Sequence, residues 1–371
     1  MKNRIVIASS VHDWLDTRIF DKEAISLSEK YETILLAPGP YQYKMKKGVH
    51  VINLNNWKRY YQRIIIHLQI WKLVYKLRPT IFHFHDPELM IVAFAIKYVF
   101  KARIIYDVHE DIKKQLQTKE SLNITGKWVL IKFVTFVEAL FLKYFDNLIL
   151  AEDSYLQTYY TFPTTIIHNF PREVRLPKRD KTANRVVYIG KWIETERGIL
   201  EILEAVNSVI KDGYHVVLDI FGKFHDESMT EKRVNEYLRG NGRNIRVNFL
   251  GYVPVGEILP GITNYLAGLV CLHPSENFIN SYPTKMFEYM IAGLPVIASN
   301  FPLWSNIINE NRCGICVNPL HSQEISGAIK YLLEHPEETE QMGLNGQIAV
   351  KTKYIWETEA KKLMDLYHKL M

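Results

Sequence analysis

Short runs of β-branched and aliphatic residues alternate along the whole chain with segments of helical period, and this alternation restricts the fold more than any single motif. In the first half the runs are Arg4 to Ala8, Thr33 to Leu36, Ile81 to Phe84, Arg103 to Tyr106 and Asn147 to Leu150. A second series follows with Arg185 to Ile189, His215 to Phe221, Ile245 to Leu250, Gly268 to Leu272 and Leu294 to Ala298. Strands separated by helices pair in parallel, because a crossover returns each strand in the same direction and covers the sheet on both faces. The pattern therefore predicts an α/β chain of two Rossmann-like domains with a cleft between their sheets. Residues 1–170 form the first and 185–352 the second, joined by a polar, proline-bearing linker over 171–184. A last helix over 353–371 carries Trp356, Ala360, Leu363, Tyr367 and Leu370 along one side.

A length of 371 residues suits two domains, and 47% hydrophobic with 23% charged residues lets both bury a core. The most apolar segment, Trp128 to Leu142, is interrupted by Lys132 and Glu138 and is too short to span a bilayer. Lys2 and Arg4 lead straight into a strand rather than an apolar leader, so the expected location is the cytoplasm. Three cysteines exclude a disulfide scaffold. Cys313 and Cys316 match C-x-x-C but lack the second ligand pair that a zinc site needs, so they read as small apolar residues in a turn and strand.

The segment from Pro283 to Ser299 predicts a short helix feeding a buried strand. Phe287, Met290 and Ile291 make its core stripe, whereas Lys285 and Glu288, three apart, share the opposite face. Pro283 suits the first turn, and Gly293 with Pro295 stops the helix. A Lys–Glu pair at this spacing is ordinarily a solvated surface pair; here it stands beside a strand edge, where α/β proteins place ligands. Gly190, Lys191 and Arg197 follow the strand that opens the second domain and precede a helix. Cations beside a helix N-terminus form a phosphate cradle.

The first domain offers histidines. His109 follows the strand ending at Tyr106, with His83, His85 and His168 as competitors. Strand alternation sends His83 and His85 to one face, which admits a metal reading. The loop after the first strand supplies His12, Asp16 and Arg18, taken as acceptor-side or structural residues.

Together these segments resemble the retaining glycosyltransferases of GT-B fold, family four. The resemblance is carried by Val187 to Gly198 and by Pro274 to Gly314. It implies two facing Rossmann-like domains, a final helix packed back on the first of them, and transfer of a sugar from a nucleotide diphosphate sugar. No cofactor or metal is implied, because Lys191 and Arg197 neutralise the departing diphosphate. In the family's pattern Glu288 binds the ribose, His109 lies close to donor sugar and acceptor, and Lys285 reaches sugar or phosphate with the backbone around Pro283 and Thr284. The family's Lys and Arg are exchanged at 191 and 197, which conserves charge but alters the hydrogen-bonding fork. Two further departures stand out: the loop after the first strand lacks a Gly-Gly pair, and Asn280 occupies the place of the usual first Glu, which leaves the sugar open. A sugar-nucleotide epimerase or hydrolase, or a non-catalytic protein of the same fold, is the alternative.

Charge is uneven. Residues 1–170 hold 23 Lys and Arg against 16 Asp and Glu, while the remainder holds 23 against 24. Between Thr33 and His85 there are nine basic residues and no acidic one. With the aromatic residues from Trp57 to Tyr75, this surplus predicts salt-sensitive binding of an anionic membrane face that presents a lipid-linked or glycan acceptor. Nucleic acid is not expected, since no binding module is present.

Overall fold

A computed structural model describes residues 3–40, 42–54, 63–108, 124–177, 183–226, 228–241 and 245–371. The chain divides into two compact units, Met1–Asn169 with Trp356–Met371, and Phe170–Ile355.

The first unit is built on an eight-stranded sheet of β1 (Arg4–Ala8), β2 (Glu32–Pro38), β3 (Tyr43–Lys46), β4 (Val49–Leu54), β5 (Ile81–Phe84), β6 (Arg103–Val108), β7 (Asn147–Leu150) and β8 (Thr164–Ile166). Their order is β3-β4-β2-β1-β5-β6-β7-β8. Every pairing is parallel except β3 with β4 at the edge. Both faces are dry. Val6 and Ala8 of β1 enter one core while Ile5 and Ile7 enter the other, which is why the strand reads as an unbroken apolar run. One face is covered by α1 (Arg63–Leu77), α2 (Met90–Phe100) and α3 (Ile124–Phe141).

The opposite face is covered by a π-helix, Thr17–Ala24, and by the C-terminal helix. Asp16 caps the π-helix, its Oδ1 accepting from the backbone N–H groups of Arg18 at 2.9 Å and Ile19 at 3.0 Å. Hydrogen bonding from i to i+5 brings Arg18 and Glu23 to one side of this segment, a geometry an α-helix does not give.

The second unit carries a six-stranded, all-parallel sheet of β9 (Arg185–Trp192), β10 (Val217–Lys223), β11 (Val247–Phe249), β12 (Ala267–Val270), β13 (Val296–Ser299) and β14 (Gly314–Val317), ordered β11-β10-β9-β12-β13-β14. Val186 and Tyr188 face one core, Val187 and Ile189 the other. The two helices that matter for the site are α4 (Ile199–Lys211), after β9, and α5 (Thr284–Ile291), before β13. The stretch expected as a linker starts inside this unit: Phe170 packs edge-on against Phe287 at 4.9 Å, and Val174 and Leu176 lie on the same core.

The final helix, α6 (Trp356–Leu370), belongs to the first unit by its contacts. Trp356 donates its indole N–H to Ser26 Oγ at 2.9 Å, and Leu363 and Tyr367 are fully buried there. Among the described residues no helix is long and apolar enough to cross a membrane. The thiols of Cys313 and Cys316 are pushed up by burial, Cys313 to about 12, so both behave as apolar groups.

Candidate active site

The second unit gathers its functional side chains at the carboxyl ends of β9, β10 and β12, the side of a parallel sheet where ligands bind. After β9 the chain turns through Glu194 and a 3-10 turn, Thr195–Arg197, into Gly198 and α4. Gly198 is obligatory there. Its φ is +74°, and a Cβ would lie 1.9 Å from the carbonyl oxygen of Cys271. This close approach holds Arg197 next to the end of β12.

Lys191 is exposed. Arg197 is half-buried and donates through Nε to Glu194 Oε2 at 2.7 Å, with its guanidinium 5.9 Å from the Phe278 ring. Glu194 also meets His225 Nε2 at 3.2 Å, and although burial raises its pKa, Arg197 and His225 outweigh it and hold the carboxyl below its ordinary range. His225 in turn stacks on Trp192 at 3.8 Å and 18°, with Lys223 Nζ 4.5 Å from the indole. Sequence reasoning passed over Glu194, Trp192 and His225, because each is an ordinary residue until the parallel strands set their ends side by side.

Helix α5 is more enclosed than its three-residue stripe predicted. Met286 and Tyr289 are buried as well as Phe287, Met290 and Ile291. Tyr289 lies flat over Gly268, where any Cβ would come within 2.2 Å of the ring, and its hydroxyl accepts from the Ile189 N–H at 2.8 Å. The second correction concerns Lys285. Expected opposite the core stripe, it is itself buried, 8% exposed, with Nζ 4.7 Å from the centre of the Tyr188 ring. Among the described residues its ammonium has no hydrogen-bond partner. Burial, and then the nearby charge of Arg197, lower its pKa to about 7. Glu288 is half-buried on the same helix.

The other residues expected at the donor site flank these. Pro283 is the N-cap of α5 and Thr284 its first residue, with no side chain capping the helix. The loop ahead of them is pinned by Trp304, whose indole N–H donates to the Ser281 carbonyl at 2.7 Å. Asn280 is exposed and ends the short helix Glu276–Ile279. Gly190, on β9, is half-buried. His273, after β12, pairs with Glu201 at 3.1 Å and donates its backbone N–H to the Glu196 carbonyl at 2.8 Å, a second contact missed from sequence. The arrangement can bind a polyanion: three cations, one of them buried without a partner, stand beside an uncapped helix start and a carboxylate three residues along α5.

In the first unit the structure separates the three loop candidates. His12 lies between Asp16 Oδ2, 3.5 Å from Nδ1, and Asp86 Oδ1, 3.7 Å from Nε2, and is partly exposed. Asp86 is itself fixed by the Ser9 hydroxyl at 2.8 Å and the Ser10 N–H at 2.6 Å. Arg18 is turned inward, where Nε and Nη2 grip the two oxygens of Asp107 at 3.0 and 3.1 Å and Nη1 donates to the Ile167 carbonyl at 3.0 Å. Burial works against its charge, yet Asp107 and Glu23 prevail and hold the guanidinium more firmly protonated. Arg18 is thus a buried structural residue, and Asp16 chiefly a cap. His109 lies outside the described residues, as do Lys58 and Arg59. His168 sits between Asp153 and Glu359, which raise its pKa to about 9 against the effect of burial.

Residues 170–348 match the family described as glycosyl transferases group 1. Among curated relatives, a phosphatidyl-myo-inositol mannosyltransferase of Mycobacterium leprae is 24% identical over 53% of this chain and 49% of its own. An alpha-D-kanosaminyltransferase of Streptomyces kanamyceticus is 25% identical over 50% of this chain and 45% of its own. The chain thus spans about half the length of the curated relatives it matches. Among solved structures, a sucrose-phosphate synthase from Thermosynechococcus elongatus superposes with a TM-score of 0.75 at 15% identity, over 100% of this chain and 99% of that one. Anabaena HepE, solved in complex with UDP-glucose, superposes at 0.75 and 12% identity, over 99% of each chain. At such identities these similarities establish the fold, which is GT-B.

Proposed function

From a chain of GT-B fold whose residues 170–348 belong to the group 1 glycosyl transferases, we propose a retaining glycosyltransferase that moves a sugar from a nucleotide diphosphate sugar to a glycan or lipid-linked acceptor. The observation that carries this reading is the set of cations at the ends of β9 and β12: exposed Lys191, half-buried Arg197, and Lys285, buried without a hydrogen-bond partner among the described residues. A buried ammonium without an acceptor is costly unless a ligand supplies one, and a diphosphate supplies several. In this reading Lys191 and Arg197 stabilise charge growing on the departing diphosphate, and no metal is needed there. Glu288 accepts the ribose hydroxyls. Lys285 gains a proton as the diphosphate arrives, and the backbone of Pro283 and Thr284 with Gly190 shapes the cradle. The sugar, a hexose or an acetylhexosamine, lies toward Asn280.

His12 and His109 are assigned to the sugar and acceptor, His12 being oriented by Asp16 and Asp86. The acceptor is proposed to be met at an anionic membrane face. Support comes from α1, α2 and α3, which expose Leu68, Ile91, Tyr98, Trp128 and Phe136 beside Lys72, Lys76 and Lys132, while the acidic residue of α3, Glu138, is buried. Lys132 Nζ stands 3.8 Å from the Trp128 ring. Apolar side chains with basic rims suit the headgroup region, which fits a role in surface polysaccharide or glycolipid assembly at the cytoplasmic side.

Thermal stabilisation across UDP, GDP, ADP and their sugar derivatives tests the reading. A nucleotide at 100 times its dissociation constant adds about 2.7 kcal/mol and a clear rise in Tm. No response to any nucleoside diphosphate or its sugar would remove the donor site and leave a non-catalytic protein of the same fold.

A further inference from the structure

In the first unit, well inside the sheet face covered by the π-helix and α6, Glu23, His83, His85 and Asp107 converge, each with a fully buried side chain. One ligand atom from each lies within 4.8 Å of all the others. His83 Nε2 is 3.9 Å from Glu23 Oε2 and 3.9 Å from Asp107 Oδ2. His85 Nε2 is 3.4 Å from Glu23 Oε2, and its Nδ1 is 3.6 Å from Asp107 Oδ2.

The geometry points to a divalent-metal site at this place, with Glu23, His83, one ring nitrogen of His85 and Asp107 as ligands and Zn2+ as the best-matched ion. At the histidine–carboxylate pairs the separations favour an ion over a shared proton. A proton between imidazole and carboxylate draws N and O to about 2.7–3.2 Å. A tetrahedral ion with arms of about 2.0–2.1 Å sets its ligand atoms about 3.4 Å apart. His85 meets this through either ring nitrogen, at 3.4 Å to Glu23 or 3.6 Å to Asp107, while His83 at 3.9 Å from both carboxylates would be drawn inward on binding. Two imidazoles with two carboxylate oxygens form a set that Zn2+ accepts readily.

Charge and outer contacts agree with this. Arg18 brings one positive charge to two buried carboxylates, engaging Asp107 with two nitrogens and standing 3.1 Å from Glu23 Oε1. Glu23 Oε2 is fully buried and faces both histidines, 3.9 Å from His83 Nε2 and 3.4 Å from His85 Nε2. On the far side of His83, Nδ1 meets the Tyr367 hydroxyl at 2.8 Å, the kind of contact that fixes ring orientation in a ligating histidine. The ion would tie the π-helix, β5 and β6 together and, through Tyr367, hold α6 in place. This ion is structural and stands apart from Lys191 and Arg197, which belong to the second unit.

The test uses the tag-free full chain and elemental analysis. As isolated, wild type is expected to carry about one zinc per chain and His85→Ala less than about one tenth. Because His85→Ala removes core volume and can fail to fold, Glu23→Gln serves as the second variant, with zinc affinity at least about 10-fold weaker. Dipicolinate should lower the wild-type Tm, one equivalent of ZnCl2 should restore it, and CoCl2 added to the stripped protein should give the visible absorption of four-coordinate cobalt. A wild-type chain that holds neither ion, and whose Tm is indifferent to dipicolinate, ZnCl2 and CoCl2, overturns the proposal. So does zinc content that survives both substitutions.

Discussion

The two units each collect charged side chains near the carboxyl ends of a parallel sheet, yet they treat those charges in opposite ways. In the first, Arg18 is buried and closed on Asp107 and Glu23. In the second, Lys191 is exposed, and among the described residues Lys285 is buried with no hydrogen-bond partner for its ammonium. Residue type and strand position alone therefore do not mark a site. Satisfaction does: a charge whose partners come with the fold serves stability, and a charge left short of partners serves a ligand.

The sharpest way to break this comparison is to remove one charge from each unit and ask what is lost. Arg18→Ala leaves Asp107 and Glu23 buried without their cation, and breaking a buried pair from one side costs about 3–5 kcal/mol. Denaturant melts should show that loss in the unfolding of the first unit, with donor affinity intact in whatever protein remains folded. A fully stable Arg18→Ala would mean that the cluster is not a structural ion network.

Arg197→Ala is the mirror experiment. Its side chain is half-buried and its ion pair with Glu194 is partly solvated, so stability should change by less than about 1 kcal/mol. Turnover should fall by about 100-fold or more, with a smaller change in KM, because charge on the diphosphate grows toward the transition state. Release of free nucleotide measures it, and equal activity in both proteins would take Arg197 out of the chemistry. Next in size comes Glu288→Ala, where losing charge-assisted hydrogen bonds to the ribose should weaken donor binding by about 1.5–3 kcal/mol in calorimetry. The Phe287, Met290 and Ile291 packing is unaffected, so Tm should hold.

What was legible from sequence follows the same division. The strands were readable because a sheet buried on both faces writes continuous apolar runs, and β1, β5 and β7 match their runs end to end. The edge strands β3 and β8, and β4 beside one of them, were not, being short or half-exposed. Lys191 and Arg197 could be placed because their setting is local: a strand, a glycine and a helix start within eight residues of one another. Lys285 was expected on the face away from the core and is buried instead. Helical period told which face it shared with Glu288, not that Tyr188 from a neighbouring strand would cover it. The cluster around His83 and His85 was half visible, since strand alternation put both rings on one face. Glu23 was invisible, because its approach depends on a π-helical turn that residue propensities do not announce.

The smallest effect is the most discriminating, because it sets stability against function in a single residue. In the free protein Lys285 titrates near pH 7, since burial and Arg197 both disfavour its charge. The unfolded chain keeps that lysine protonated up to about pH 10.4. Between those values the unfolded state binds more protons than the folded one, so stability should rise with pH above 7, and the burial cost should be greatest below it. Lys285→Met keeps the length of the side chain and removes the charge. At pH 6 it should stabilise the second unit by about 1 kcal/mol, and by pH 9 that advantage should have shrunk, as followed by Tm across pH. Donor binding should respond in the opposite sense: wild-type affinity for a nucleoside diphosphate falls as pH rises through 7, with uptake of up to one proton on binding, while Lys285→Met binds more weakly and loses that proton uptake. Calorimetry in buffers of different ionisation enthalpy reads the proton directly. Identical proton uptake in wild type and Lys285→Met would show that this lysine meets no phosphate, and the contrast with the ion-paired Arg18 of the first unit would then rest on Lys191 and Arg197 alone.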